Sequence, residues 1–172
     1  MKPEERYWTI QRESEGYTEE KANRFFSFAC PVKERIEIKN LISYCIQDNQ
    51  DASEISFAWR LGEIIGESSD NLGGKAILDT LNLYHLTNTL VFVLRFKKGK
   101  ITQNKLLKAY TDATKDCLDC LDLIPFVGKD IAEYHADVHD IGRIMKIVEE
   151  QNLTLLSKEW TGEDWKLLFR IY

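Results

Sequence analysis

The sequence predicts an α+β fold in two small units, residues 1–124 and 125–172. Three observations carry that reading. Strand-like runs alternate with segments whose apolar residues recur every three or four positions. The run Leu90-Val91-Phe92-Val93-Leu94 is continuous and apolar, as expected of a central strand buried on both faces. The stretch from Pro125 to Gly128 is the sharpest interruption in the chain, and the pattern restarts after it.

Taken in order, Tyr7-Trp8-Thr9-Ile10 reads as a short aromatic strand, and Gly16 punctuates the chain before Tyr17. Arg24 to Val32 is apolar enough for a buried strand that ends at Pro31. From Lys33 to Asn49 the residues Ile36, Ile38, Leu41, Ile42, Cys45 and Ile46 mark an amphipathic helix. Ile55 to Leu61 returns to strand, Glu67 to Gly74 is a polar loop, and Lys75 to His85 suits a short helix. After the strand within Leu86–Phe96, a long helix runs from Thr102, a suitable N-cap, to Leu121. Its apolar set is Leu106, Leu107, Tyr110, Ala113, Cys117, Leu118 and Leu121. In the second unit Asp130–Val138 reads as a strand and Asp140–Gln151 as a helix presenting Ile141, Ile144, Met145 and Val148. Leu153–Trp160 and Trp165–Tyr172 form a hairpin across the turn formers Thr161-Gly162-Glu163-Asp164. That β-α-β-β order is shorter than the common split-βαβ sandwich, so the edge after Trp165–Tyr172 is a candidate docking edge for a partner or a second copy.

Composition narrows the function classes. With 172 residues, 44% hydrophobic and only 3 Pro and 9 Gly, the chain is not mostly disordered. Its best apolar run is five residues, against the roughly 20 needed to cross a bilayer. The N-terminus has no apolar h-region, so a soluble, cytoplasmic protein with no membrane partner is expected. The net charge of −5 gives the whole chain no basic character, but residues 95–108 hold six cations and no acid. Arg95, Lys97, Lys98, Lys100, Lys105 and Lys108 are therefore the candidate phosphate contacts, with Phe96 offering a stacking face and a helix N-terminus following. The alternative is a solvated lysine loop that blunts an edge strand.

Other motifs carry less. Cys30, Cys45, Cys117 and Cys120 read as reduced thiols, since Cys117-x-x-Cys120 offers a zinc ion two ligands where four are needed. Glu133, His135, Asp137 and His139 would share one strand face, a metal-compatible set. The plainer reading is a solvated face opposite a core of Tyr134, Ala136 and Val138. No metal or cofactor is expected. Ser68 and Ser69 lack a G-x-S-x-G elbow, and His85 between helix and strand reads as buried or half-buried. Gly73-Gly74-Lys75 lacks the earlier glycine of a P-loop, leaving simple anion capture by the helix start open. No catalytic constellation emerges.

Several stretches together resemble the YigZ/IMPACT family. They are Tyr17 to Phe25, Ala52 with Phe57-Ala58-Trp59-Arg60-Leu61-Gly62, Gly74-Lys75-Ala76-Ile77-Leu78, Leu86-Thr87-Asn88 through Arg95-Phe96, and Leu107-Lys108-Ala109-Tyr110. The resemblance implies an N-terminal βαβ domain of the ribosomal-protein and translational-GTPase type, followed by a ferredoxin-like domain, shortened here. The polar signatures depart from the family's pattern. Its His-His-Cys is Glu54-Ile55-Ser56 in this chain, its Asp-Gly-Glu-Pro loop is Gly66 to Gly74, and of its later glycines only Gly99 remains. The resulting expectation is a non-enzymatic, divergent member that binds RNA, a ribosomal surface or a translation factor through the cationic segment. The alternative is an interaction or homo-oligomerisation module that uses the C-terminal sheet edge. A small-molecule hydrolase is the weaker rival.

Overall fold

The computed structural model describes residues 7–68, 72–126, 131–151 and 153–170. The expected loop residues Ser69, Asp70 and Asn71, the end of the boundary segment at 127–130, and Ile171–Tyr172 lie outside the described residues. The protein is α+β and forms two compact units, one of them Tyr7–Ile124 and the other including Pro125–Tyr172.

The first unit comprises β1 (Trp8–Thr9), β2 (Ser14–Glu20), β3 (Asn23–Pro31), α1 (Arg35–Asp48), β4 (Glu54–Leu61), β5 (Ile64–Glu67), α2 (Leu72–Leu83), β6 (Thr89–Phe96) and α3 (Gln103–Asp119). Its sheet has the order β2-β3-β6-β4-β5, and every neighbouring pair is antiparallel. β3 and β4 therefore run parallel to each other with β6 between them, and α1 makes the crossover: a split β-α-β. β6 is buried from Thr89 to Arg95, as its continuous apolar run predicts. One sheet face carries Phe25, Ala29, Ala58, Val91 and Val93 against α2 and α3, and the other carries Cys30, Leu90 and Phe92 against Ile38 of α1. Burial on both faces explains why β6 lacks the apolar–polar alternation of a half-solvated antiparallel strand.

Several local expectations change. Gly16 is not a punctuation point but the middle of β2. A Cβ there would stand 2.5 Å from both the Cys117 backbone nitrogen and the Ser27 Oγ, so glycine lets α3 lie directly on the strand. Ser14 and Ser27 complete this seam by donating to the carbonyls of Cys117 and Ala113, each at 2.6 Å. α2 starts earlier than periodicity suggests, at Leu72, and takes in Gly73 and Gly74. A Cβ on Gly73 would overlap the Ser56 side chain and approach Tyr110 Cε1 to 2.7 Å, so packing selects glycine inside this helix. β5 is a short edge strand that Ile64-Ile65 did not reveal, reached from β4 through Gly62 at φ +66°. Within α3, Leu107 is exposed although it falls in the apolar series. His85 is exposed rather than half-buried. It ends α2 in the left-handed region at φ 51°, while Leu86 N–H donates back to the Leu81 carbonyl as in a Schellman cap.

The chain continues through β7 (Ile124–Pro125) to the second unit: β8 (Ile131–Ala136), α4 (Ile141–Glu150), β9 (Thr154–Trp160) and β10 (Trp165–Arg170). The sheet order is β8-β10-β9, antiparallel throughout, so a second split β-α-β encloses the last strand. Ala136, Leu167 and Phe169 meet Val148, Ile141, Ile144 and Met145 of α4, the helix face the sequence predicts. Tyr134 and Val138 do not join that core: they are 44% and 53% exposed, because β8 is an edge strand that stops at Ala136. The expected docking edge at Trp165 and beyond is likewise displaced. β10 pairs on both sides, and the sheet's edges are β8 and β9. Among the described residues no helix is long and apolar enough to cross a membrane.

Candidate nucleic-acid interface

The cationic segment begins where β6 leaves the sheet. Lys97 N–H donates to Ser53 Oγ at 2.8 Å, and Ser53 N–H donates to the Arg95 carbonyl at 2.8 Å. On the other side Asn23, fully buried, accepts from Lys98 N–H and donates to the Lys98 carbonyl, each at 3.4 Å, and to the Lys21 carbonyl at 3.2 Å. The chain then turns at Gly99, whose φ of +90° is a conformation that suits glycine. Thr102 caps α3 by accepting from Lys105 N–H, as expected. The lysine turn is thus clamped to both neighbouring strands by side chains of Ser53 and Asn23.

The six sequence candidates separate into three groups. Lys97, Lys98 and Lys100 are exposed on the turn. Lys105 faces Glu20 at 4.0 Å, and Lys108 pairs with Asp112 at 2.8 Å, a contact that raises its pKa. Arg95 is 7% exposed and points inward, which overturns its assignment as a phosphate contact. It meets Glu54 at 3.6 Å, donates to Asn23 Oδ1 at 3.3 Å, and lies 6.0 Å from the centre of the Phe25 ring. Depth along β6 is the reason. Lys97 lies beyond the last buried strand residues, while Arg95 shares the face of Val93 and Val91 beneath the helices.

Beside this turn the sheet presents aromatic side chains that sequence reasoning did not connect. Tyr17, Phe26 and Phe96 project from β2, β3 and β6 on one face, with ring centres 5.0 Å and 5.7 Å apart along the series. The exposed Arg24 guanidinium lies 5.4 Å from the Phe96 ring centre and 5.8 Å from that of Phe26. The period-two signal was present in Arg24-Phe25-Phe26-Ser27-Phe28, but it cannot by itself say which face a helix covers. The turn that joins β2 to β3 is Lys21–Ala22, both residues in the left-handed region (φ 52° and 65°), a two-residue turn of the I′ kind without its usual glycine.

The positions that replace the family's polar signature also converge. Ser56 and Tyr110 are fully buried and both abut Gly73 at the start of α2, with neither the Ser56 Oγ nor the Tyr110 hydroxyl in a well-formed hydrogen bond. Burial holds the Tyr110 phenol far above its ordinary range. The Gly73-Gly74 step, a candidate for anion capture, is therefore a close-packed seam against Ser56, Tyr110 and Ser68.

Elsewhere, Glu133 and His135 do share a face, and His135 joins Asp164 (3.1 Å) and Glu133 (3.4 Å), while Asp137 instead accepts from the His139 backbone. Among the described residues no group of three or more His, Cys, Asp or Glu side chains is placed to hold a metal ion. All four cysteines are free thiols. Cys117 is buried, Cys120 exposed, and Cys45, in the apolar series of α1, is half-buried.

The fold defines a class: an antiparallel sheet built on a split β-α-β, helices on both faces, and a second small unit of like construction. The model of the Impact N-terminal domain matches residues 21–118, and the chain belongs to that family. No curated protein matches it. A solved crystal structure of a hypothetical protein is similar, with a TM-score of 0.66 and 16% identity, over 98% of this chain and 86% of its own. At that identity the likeness speaks for fold alone, and it takes in the second unit as well as the first.

Proposed function

We propose that this Impact-type protein is a non-enzymatic RNA binder, whether the RNA is free or part of a ribosomal surface, and that it meets phosphates with Lys97, Lys98 and Lys100. The observation that carries the reading is the clamped lysine turn: three exposed ammonium groups on one backbone segment that Ser53 and Asn23 hold in place. No ion pair to a described carboxylate engages any of the three. A solvated lysine loop on a protein of net charge −5 needs no such anchoring. A binding rather than catalytic role also accords with the loss of the family's polar signature, whose Ser56 position is now sealed beneath α2.

The test is a titration against short single-stranded RNA across a range of salt. Three phosphate contacts give a slope of log affinity against log salt of about −2 on single strands, where six would give about −4. Reversing the three lysines to glutamate removes that dependence. Undiminished affinity in the reversed variant, or no binding at low salt, defeats the proposal.

A further inference from the structure

Resting on that reading, the geometry points to a base-stacking platform: Tyr17, Phe26 and Phe96, with Arg24, take successive bases of single-stranded RNA while the lysine turn takes its phosphates. The cluster beneath α1 takes in Phe28 and Phe92, burial of that face continues to Leu94 (3% exposed), and cover thins only at the strand end, where Phe96 is half-buried. Tyr17 is 41% exposed and Phe26 and Phe96 are half-buried, tilted at 54° and 86° to one another along the series, and together they form a contiguous aromatic patch of the kind that marks an interaction site. The three rings lie across β2, β3 and β6, transverse to the strands. Aromatic residues so arranged on a sheet hold unstacked bases, and the plane of an arginine does the same.

Charge fixes the direction of the strand. Glu19 stands beside Tyr17, accepting from its hydroxyl at 3.0 Å, so the β2 side repels phosphate. Phe96 is joined directly to Lys97. The ribose-phosphate backbone therefore follows the turn, with bases laid inward over Phe96 and Phe26. Duplex RNA cannot use the rings, because its bases are already stacked.

Fluorescence anisotropy with three probes separates the platform from the phosphate contacts: an oligouridylate, an abasic ribose-phosphate oligomer of the same length, and an RNA duplex. The platform predicts that the oligouridylate binds about tenfold or more tighter than the abasic oligomer. Tyr17→Ala and Phe96→Leu should each erode that preference while leaving the abasic affinity and its salt slope unchanged. Equal, salt-sensitive affinity for the oligouridylate and the abasic oligomer overturns the platform and leaves the lysine assignment standing. No binding of any probe at low salt overturns both. The wild-type comparison of probes needs no variant, so a folding defect in Phe96→Leu does not blunt the test.

Discussion

Replacing Arg95 by leucine distinguishes a structural cation from a ligand contact. In the structure this guanidinium holds Glu54, Asn23 and the Phe25 ring together. Losing one partner of a fully buried ion pair costs roughly 3–5 kcal/mol, most of it from the charge left behind. Here the Glu54 side chain is 31% exposed and can rehydrate, which takes away much of that penalty. Asn23 Oδ1 keeps the Lys98 N–H, so no acceptor is orphaned, and leucine fills part of the apolar space beside Phe25. The expected net loss is about 2 kcal/mol, equivalent to a fall in unfolding midpoint of roughly 5–10 °C for a unit of this size. Thermal and urea unfolding, followed by a probe in the first unit, measure it. RNA titrations of the folded variant should keep the wild-type salt slope. An unchanged midpoint combined with a shallower slope would refute the reasoning and restore Arg95 as a phosphate contact.

Four further outcomes follow from named contacts. Gly16→Ala forces a methyl against the Cys117 backbone and should cost about 1–3 kcal/mol, read as a lowered urea midpoint, whereas an unchanged midpoint would mean that α3 can lift from β2. Ala22→Gly relieves a left-handed turn residue and should raise the melting temperature, by about 1 kcal/mol of stability. His135 has its pKa raised, first by the hydrogen bond to Asp164 and then by that to Glu133. Its contribution to the second unit is present in full below pH 6.5 and is lost as pH rises through the raised value, a dependence that His135→Gln should abolish in pH-dependent melts. Burial pushes Cys117 up to about 12 and Cys30 and Cys45 up to about 11, so a thiol reagent on the native protein should label Cys120 first and the other three slowly.

Strands and helices with a strong period were legible in the chain, and so was the centre of the sheet. Leu90 to Leu94 announces a strand with two covered faces, and Thr102 announces the start of α3. What stayed hidden depends on contacts between distant residues. Gly16, Gly73 and Gly74 look like breakers until the helices that press on them are known, since a glycine's local meaning and its packing meaning share one letter. Arg95 and Lys97 are two residues apart in a uniformly cationic run, and only the depth of β6 separates a buried ion from an exposed one. The aromatic face was half legible. Phe96 stood out beside the lysines, but Tyr17 and Phe26 join it only through sheet registers that bring β2 and β3 beside β6.

The placement of β6 also sets a timetable for the nascent chain. β3 pairs with β2 and β4 with β5, but the two hairpins are joined only through β6, with Arg24 opposite Phe96 and Pro31 opposite Thr89. The seam of Ser14 on Cys117 joins residues 103 apart. While this protein is being made, the hairpins β2-β3 and β4-β5 each wait with an open inner edge and apolar faces until the ribosome has released nearly the whole first unit. Closure is then abrupt, because one strand completes two ladders at once. Such non-local wiring slows folding and lengthens exposure to aggregation. The second unit repeats the arrangement, with β10 as its final piece, so neither sheet can close before its last strand is made.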